Sequence, residues 1–477
     1  MENYFKRLKA SARGEMASKM KSARSSNRVE SQRFRLVVVI FGCLALSTYI
    51  VVSKPQIDPF LTSIAGSSKP LKPIGQNNVE AKDPVDSPQT GMLRENKNPK
   101  KRLCHVSERG DRCEMDGDIR IHPNTSSIIF VEPSERNELW RVIPYSRKRA
   151  DNDFNQIREL TVKSSTEAPR CTINHSIPAV VFSVSGYTGN LFHDFTDLLV
   201  PLFSTARQFN GEVQFMVTDN KQWWVNKYLP VFRKLSNYHL INFDEDGDQV
   251  HCFKHVIVGL RRHKELSIDP MKAPYRYSMV DFTQFMRSTY RLERDTVTKI
   301  EGYPHNNPRL LIISRKRSRA IINVRKVAQM ARELGYEVVV GNANSLSNIT
   351  HFAQIVNSCD VLMGVHGAGL TNMVFLPPEA TLIQIVPWGR LEKIAMTDFG
   401  YPAKDMNLNY LQYSISERES TLIRMYPRNH PVFKNPSSFH NRGWNLVKTT
   451  FMENQNVKLD LRRFSDVLWK ALENLMQ

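Results

Sequence analysis

The stretch DVLMGVHGAGLTNMVFLPPEATLIQIV, residues 360–386, decides the fold that we predict for this chain. DVLMGV and TLIQIV are short apolar runs typical of buried strands, and LTNMVFL between them predicts a helix that begins at Gly369. A strand, a helix and a second strand joined by short turns predict a parallel pair with a crossover. The turn HGAG, residues 366–369, then lies at the carboxyl edge of a sheet, where open α/β sheets bind ligands.

The same alternation continues upstream. RLLIIS (309–314) and YEVVV (336–340) are predicted strands, and residues 323–334 and 348–357 are predicted helices. The first half contains the apolar runs IPAVVFSV (177–184), VQFMV (213–217) and HVIVGL (255–260), with helical stretches between them. The apolar stripe over residues 464–475 predicts a last helix that packs back onto the fold. We therefore predict an α/β protein with parallel sheets, in two Rossmann-like domains, 104–300 and 301–477, that face a cleft.

The N-terminus predicts a membrane anchor. Residues 1–35 contain ten Lys or Arg and three acids, and the 18 residues 36–53 follow without a charged side chain. As a helix this run is roughly 27 Å long, close to the hydrocarbon thickness of a bilayer. We predict a cytosolic tail (1–35), one transmembrane helix (36–53) with the C-terminus in the lumen, and a flexible stem (54–103) with seven prolines. A cleaved signal peptide is the alternative, but no A-x-A site follows the run.

The charge balance is basic, with a net charge of +19. Such a balance often indicates a nucleic-acid partner, which the predicted luminal topology argues against. Acidic polysaccharides or membrane surfaces are the partners expected there, with a merely solvated surface as the alternative. Three N-x-S/T sequons agree with a luminal chain, at Asn124, Asn174 and Asn348.

Five cysteines follow the predicted anchor, so they cannot all pair within one chain. Cys359 stands in an apolar run and is the predicted free, buried thiol. The other four predict two disulfides with three possible pairings: Cys104, Cys113, Cys171 and Cys252.

Two loops predict a diphosphate site. Glycines in HGAG let the backbone approach a phosphate, and His366 is expected either to donate a hydrogen bond to the diphosphate or to carry positive charge towards it. SRKRSRAIINVRK (314–326) follows a neighbouring strand, and its guanidinium groups suit phosphate, while Asn323 is expected to cap the next helix. A structural turn and a solvated basic loop are the alternatives. The predicted donor-site residues are Arg315, Arg319, Asn323, His366, Gly367, Ala368, Gly369 and Asn372.

A third stretch, SGYTGNLFHDFTDLLVPLF (185–203), offers acid–base chemistry. Asn190 is expected to cap its helix, and His193 and Asp197, four residues apart, share one helix face. Either side chain suits removal of a proton from a sugar hydroxyl, and a purely structural pair is the alternative. No His, Cys or acidic spacing indicates a metal site, so we predict a metal-independent reaction.

With these stretches in place, the chain resembles plant members of glycosyltransferase family 61. The resemblance covers most of residues 104–477 and rests on motifs in a fixed order: CEMDGDIRIH, GYTGNLFHDFTDLLVPLF, IISRKRSRAIIN, VHGAGLTNMVFLPP and the tail HPVFKNP…GW…QNVKLDL. It implies a GT-B fold and a Golgi type II enzyme that uses a nucleotide sugar, without an essential metal and with no cofactor. It also implies that His193 and Asp197 belong to the acceptor side, and Arg315, His366, Gly367 and Gly369 to the donor motifs. Gln384 stands where more distant members often carry an acid, so the donor sugar does not carry over.

We therefore expect an inverting transferase at the Golgi membrane, as a homo- or hetero-oligomer. The family resemblance implies UDP-xylose or UDP-arabinofuranose as donor and xylan as acceptor. Asp197, assisted by His193, is the expected base. The alternatives are a glycoprotein xylosyl- or N-acetylglucosaminyltransferase and a non-catalytic Golgi subunit that binds polysaccharide or scaffolds a synthase complex.

Overall fold

The computed structural model describes residues 102–107, 110–132, 138–148, 157–300, 307–342 and 348–476. Within these ranges no helix combines the length and the apolar character that a membrane crossing requires. The predicted tail and anchor, and the predicted stem as far as residue 101, lie outside them.

A ten-stranded mixed sheet, the N-terminal sheet, is formed by β1 (Cys104–Ser107), β2 (Gly110–His122), β3 (Ser127–Val131), β4 (Leu139–Val142), β5 (Leu160–Ser165), β6 (Ile173–Asn174), β7 (Ala179–Ser183), β8 (Gln214–Thr218), β9 (Ile241–Asn242) and β10 (His251–Val258). Its main order is β4-β5-β3-β2-β10-β7-β8-β9, with β1 beside β2 and β6 beside β10. The strands β10, β7, β8 and β9 are parallel, as predicted.

The prediction of a parallel sheet is wrong for the start of this half, because β2 pairs antiparallel with β1, β3 and β10. For β1 and β3 the reason is the length of the connections. Two residues separate β1 from β2 and four separate β2 from β3, whereas a parallel pair needs a crossover of a dozen or more residues. The pairing of β2 with β10 joins strands far apart along the chain and is not set by a short connection.

The C-terminal sheet is entirely parallel and agrees with the prediction. It consists of β11 (Arg309–Ser314), β12 (Glu337–Asn342), β13 (Val361–Val365), β14 (Thr381–Val386) and β15 (Asn409–Ser414), in the order β12-β11-β13-β14-β15. All residues of β13 and β14 are buried, which explains their largely apolar sequences.

The helices connect these strands. The α-helices are Leu191–His193, Val200–Ala206, Gln222–Lys227, Leu229–Leu235, Met279–Tyr290, Val324–Glu333, Ile349–Asn357, Glu392–Ala395, Tyr401–Asp405, Pro431–Lys434, Ser437–His440, Trp444–Val447 and Leu461–Asn474. The 3-10 helices are Pro123–Thr125, Arg207–Phe209, Pro274–Arg276, Ala368–Phe375, Glu417–Glu419 and Thr421–Arg424, and the π-helical segments are Asp194–Leu199, Met396–Gly400 and Lys448–Glu453. The last helix packs on β14, β15 and Val324–Glu333, as predicted.

The cysteines pair as Cys104–Cys113 and Cys171–Cys252, and Cys359 is free and buried. The structure thus confirms the predicted free thiol and selects one of the three pairings. Burial raises the pKa of the Cys359 thiol to about 11, so this thiol stays protonated.

The three predicted sequon asparagines are exposed. Asn348 caps the helix Ile349–Asn357 by accepting a hydrogen bond of 3.1 Å from the His351 amide through Oδ1, which leaves Nδ2, the atom that a glycan modifies, outside the cap. Their glycosylation stays a prediction.

Candidate active site

Two loops begin side by side at the carboxyl edge of the C-terminal sheet. β11 and β13 pair in parallel, with Ile313 opposite Gly364. Arg315 lies directly beyond the end of β11, and His366 directly follows β13. The two predicted donor motifs are therefore neighbours in space, which the sequence predicted from the strand order.

The contact between the loops centres on Gly367. Its φ of 144° and ψ of 175° belong to a region that residues with a side chain avoid. A Cβ atom on Gly367 would lie 2.7 Å from Nη1 of Arg319 and 3.0 Å from Nη1 of Arg315. Arg319 Nη1 also donates a hydrogen bond of 2.9 Å to the carbonyl oxygen of His366. Glycine is required here because two guanidinium groups lie directly against the backbone.

The electrostatics of this arginine pair favour an anion. Burial lowers the pKa of Arg315, and burial together with the charge of Arg315 lowers the pKa of Arg319 to about 10. Nε of Arg319 is buried and has no hydrogen-bond partner within the described part of the chain. A phosphate group would supply the missing acceptor and offset the repulsion between the two cations.

His366 is buried and neutral. Gln384 donates a hydrogen bond of 2.8 Å from Nε2 to Nδ1 of His366, and the Tyr410 hydroxyl donates one of 2.7 Å to Oε1 of Gln384. This network places the imidazole proton on Nε2. Burial and the charges of Arg319 and Arg315 lower the pKa of His366 to about 3. The expectation of a positively charged His366 is therefore wrong, while a hydrogen bond donated from Nε2 remains available.

The remaining HGAG residues shape the turn. Ala368 is half-buried and begins the 3-10 helix Ala368–Phe375, which replaces the α-helix predicted from Gly369. Gly369 packs on β11, because a Cβ atom there would lie 2.9 Å from Cγ2 of Ile313. Asn372 donates a hydrogen bond of 2.8 Å to the carbonyl oxygen of Gly369, and its Oδ1 is buried without a partner among the described residues. Gly369 and Asn372 thus stabilise the turn that presents Gly367.

Asn323 does not cap the helix Val324–Glu333, contrary to the prediction. Its Nδ2 donates to the carbonyl oxygen of Leu459 at 2.9 Å, and its Oδ1 accepts from the Leu459 amide at 3.1 Å. Both ends of the side chain are committed to the C-terminal segment, and this contact, absent from local sequence patterns, outcompetes the cap.

The predicted histidine–acid pair exists. Asn190 caps the helix Leu191–His193 by accepting a hydrogen bond of 3.1 Å from the Phe192 amide. Nδ1 of His193 lies 2.9 Å from Oδ2 of Asp197. Because an ionised carboxylate only accepts hydrogen bonds, the imidazole donates from Nδ1 and keeps Nε2 as an acceptor.

Asp197 is badly placed to act as the base. It is fully buried, and it accepts hydrogen bonds from His193, from the Tyr145 hydroxyl at 2.9 Å, and from Nε of Arg147 at 2.8 and 3.0 Å. Burial by itself raises its pKa, but the hydrogen bond from His193 and the charge of Arg147 outweigh burial and lower the pKa. The structure therefore argues against Asp197 as the base, because both of its oxygens already accept hydrogen bonds and its lowered pKa disfavours taking up a proton. Its contacts fit a group that orients His193.

Aromatic contacts join the acceptor and donor motifs. The helix Leu191–His193 packs on the 3-10 helix Ala368–Phe375. The rings of Phe192 and Phe399 lie 5.4 Å apart, and the ring of Phe399 lies 5.6 Å from that of His366. Motifs separated by more than 170 positions thus form one site.

Asp398 is a second acid of this site that sequence reasoning missed. Its Oδ2 lies 3.9 Å from Nε2 of His366, and its side chain is 24% exposed. Burial and the negative charge of Glu265 raise the pKa of Asp398 to about 7, against an opposing effect of Arg147. A carboxyl group that changes charge near neutral pH beside a buried histidine is typical of functional sites.

Other missed residues surround Asp197. Arg147 contacts Asp197 and also donates to both oxygens of Glu265, at 3.2 and 2.5 Å. Tyr145 and Arg147 stand in PYSRKR, a run typical of a solvated surface, and Asp398 stands in MTDFG without any motif. No local signal separates these residues from ordinary loop residues, because their partners lie far away along the chain.

The acidic, histidine and cysteine side chains within the described ranges form no group suited to a metal ion. Metal independence stays a prediction. Arg315 and Arg319 supply positive charge for a diphosphate.

Comparison with known proteins identifies the family. A family model described as Glycosyltransferase 61 matches residues 191–383, which contain both the histidine–acid pair and the arginine pair. The chain is 56% identical over 398 residues to alpha-1,3-arabinosyltransferase XAT3 of Oryza sativa subsp. japonica, covering 83% of this chain and 69% of that protein. It is 42% identical over 397 residues to beta-1,2-xylosyltransferase XYXT1 of the same organism, covering 79% and 85%.

A relative from another plant aligns over nearly the whole length. Xylan glycosyltransferase MUCI21 of Arabidopsis thaliana is 31% identical over 465 residues, covering 93% of this chain and 92% of that protein. With this coverage and the matched motifs, the chain belongs to glycosyltransferase family 61, as its sequence motifs predicted.

Proposed function

We propose that this enzyme transfers a pentose from a UDP-sugar to xylan at the Golgi membrane. The similar proteins named above are an arabinosyltransferase, a xylosyltransferase and a xylan glycosyltransferase, which supports a pentose donor and a xylan acceptor. The identity to the arabinosyltransferase is 56%, against 42% to the xylosyltransferase, which favours UDP-arabinofuranose over UDP-xylose as the donor.

The donor diphosphate binds at Gly367. Arg315 and Arg319 meet its phosphate oxygens, and Nε2–H of the neutral His366 donates a further hydrogen bond. The charge that develops on the departing UDP is stabilised by groups already fixed in place, since Arg319 is held by its bond to the backbone at His366.

His193 is the base in this proposal. Asp197 holds the imidazole through Nδ1, so Nε2 accepts the proton of the acceptor hydroxyl while the hydroxyl oxygen attacks the anomeric carbon. The bond from the anomeric carbon to the diphosphate oxygen breaks, UDP leaves with the bonding electrons, and the proton stays on His193. A single displacement of this kind inverts the anomeric configuration, and the buried Asp197 stabilises the imidazolium that forms.

Fold and location complete the proposal. A parallel C-terminal sheet beside a sheet with four parallel strands supports a GT-B arrangement of two Rossmann-like halves. The apolar run 36–53 after a basic tail supports a single-pass type II anchor. Two disulfides and three exposed sequons support a luminal catalytic region.

The observation that carries the proposal is the approach of two guanidinium groups to Gly367, because it brings two positive charges together and leaves Nε of Arg319 without a hydrogen-bond partner among the described residues. The test uses the full chain in detergent with UDP-arabinofuranose, UDP-xylose or UDP-N-acetylglucosamine. Xylo-oligosaccharides or a glycopeptide serve as acceptors, and mass spectrometry detects the product. We expect one pentose added to the xylo-oligosaccharide.

Two results would redirect the proposal. Transfer to the glycopeptide alone would indicate a glycoprotein-modifying enzyme. UDP release and UDP binding both absent, with a folded protein, would indicate a non-catalytic subunit.

A further inference from the structure

Two adjacent tryptophans have opposite environments. Trp224 is completely buried, whereas the side chain of Trp223 is 54% exposed. Both stand in the helix Gln222–Lys227, which follows the carboxyl end of β8. A large exposed aromatic ring at the edge of a sheet that carries a reaction site is a candidate contact surface.

The position of this helix is fixed by Asp194, which is fully buried next to His193. The Asp194 carboxylate accepts hydrogen bonds from the Gly189 amide at 2.8 Å, from Nε1 of Trp224 at 2.9 Å and from the Tyr228 hydroxyl at 2.8 Å. Nζ of Lys227 lies 3.3 Å from the same carboxylate. One acid thus ties the tryptophan helix to the loop that precedes His193.

The exposed indole lies against that loop. Gly189 has a φ of 101°, and a Cβ atom on it would lie 3.3 Å from Cη2 of Trp223. The loop itself carries one aromatic side chain, Tyr187, whose ring lies 4.5 Å from the ring of His193. Gly189 directly precedes Asn190, the N-cap of the helix that carries His193. The Trp223 ring therefore lies against the loop immediately before that helix.

We propose that Trp223 is a stacking platform for a sugar ring of the acceptor polysaccharide, in a subsite next to the one that His193 serves. This inference rests on the proposed function, in which the acceptor is xylan. The C–H face of a pyranose ring is apolar and flat, and an indole offers a wide, rigid surface for it at a low cost in side-chain entropy. A polysaccharide extends beyond its reacting hydroxyl, so its neighbouring rings need contacts one loop away from the base.

The test compares Trp223→Ala and Trp223→Phe in the full chain with xylo-oligosaccharides of increasing length. We expect Trp223→Ala to raise the acceptor KM about 2- to 10-fold for long acceptors, and Trp223→Phe to raise it less. The kcat at saturating acceptor and the Kd for UDP stay unchanged, because the Trp223 ring lies against Gly189 and takes no part in the proposed proton transfer or in the binding of the diphosphate.

Tyr238→Ala is the matched control. Tyr238 is also an exposed aromatic residue, at 42%, but it precedes β9 and so lies at the amino edge of the parallel strands, opposite the loop of His193. Its removal is expected to leave the acceptor KM unchanged.

An unchanged acceptor KM in Trp223→Ala overturns the platform. A rise in the Kd for UDP as large as the rise in the acceptor KM also overturns it, because it indicates a structural role. Electrophoresis in a gel containing xylan tests binding without turnover. If the wild-type chain is retarded by xylan but transfers no pentose, the proposed function fails, and weaker retardation of Trp223→Ala still supports the platform. Equal migration of the two chains overturns it.

Discussion

Replacing Gly367 with alanine tests the donor site most directly. The added Cβ would meet Nη1 of Arg319 at 2.7 Å and Nη1 of Arg315 at 3.0 Å, so both guanidinium groups must move. The backbone conformation, with φ of 144°, adds a strain of about 1–3 kcal/mol for a residue with a side chain. Losing one well-placed hydrogen bond to a charged group costs about 1.5–3 kcal/mol. A loss of that size weakens UDP binding about 10- to 100-fold, since about 1.4 kcal/mol is one factor of ten.

Calorimetric titration of the purified full chain with UDP measures this loss, and thermal unfolding reports the strain separately. Gly335→Ala is the matched control, because Gly335 has a φ of 99° but a Cβ atom there meets nothing within 4 Å. We expect Gly335→Ala to lower the melting temperature and to leave the Kd for UDP unchanged. If Gly367→Ala binds UDP as tightly as the wild type, the arginine pair does not bind the diphosphate and the reasoning is refuted.

Four further predictions concern His193, Asp197, Asp398 and the disulfides. His193→Ala is expected to lower kcat about 100-fold or more without changing the Kd for UDP, and turnover within twofold of wild type excludes His193 as the base. Asp197→Asn removes the buried anion beside Arg147, so we expect slower turnover and a loss of about 3 kcal/mol in the free energy of unfolding; unchanged stability in denaturant titrations contradicts the described network. The pKa of Asp398 is raised from 3.8 to about 7, so the native state holds this proton more tightly than the unfolded chain, and the stability that Asp398 contributes falls as the pH rises through that interval. Asp398→Asn is expected to flatten the fall in melting temperature between about pH 4 and pH 7, and equal slopes in wild type and variant speak against the raised pKa. Removing the Cys171–Cys252 bridge, with a separation of 81 residues, is expected to cost about 4.5 kcal/mol, against about 2.5 kcal/mol for Cys104–Cys113, with a separation of 9; the reverse order in denaturant titrations contradicts the loop-length argument.

The central strands of the C-terminal sheet, β11, β13 and β14, were predictable because they are buried on both faces. β11 and β14 have the bounds that their apolar runs predict, residues 309–314 and 381–386. The antiparallel start of the N-terminal sheet was not predicted, because attention to apolar runs overlooks alternating strands such as β2. The short connections on either side of β2 predict its antiparallel pairing with β1 and β3.

The candidate site divides in the same way. The meeting of Arg315 and His366 followed from strand order, and the pairing of His193 with Asp197 followed from helical spacing. The roles did not follow, because they depend on burial and on distant partners. Asp197 is enclosed by Tyr145 and Arg147, about 50 residues away along the chain. The neutral state of His366 likewise reflects its burial and two nearby cations rather than its neighbours in sequence.

The amide of Gln384 determines which kind of atom His366 can bind. By donating a hydrogen bond to Nδ1 of His366, the amide leaves the imidazole hydrogen on Nε2. Nε2 can therefore donate a hydrogen bond to an acceptor atom of the donor substrate but cannot accept one. A carboxylate at position 384 would accept from Nδ1 and turn Nε2 into an acceptor for a sugar hydroxyl. A substitution at position 384, without any change in the residues that touch the ligand, would then change Nε2 of His366 from a hydrogen-bond donor to a hydrogen-bond acceptor.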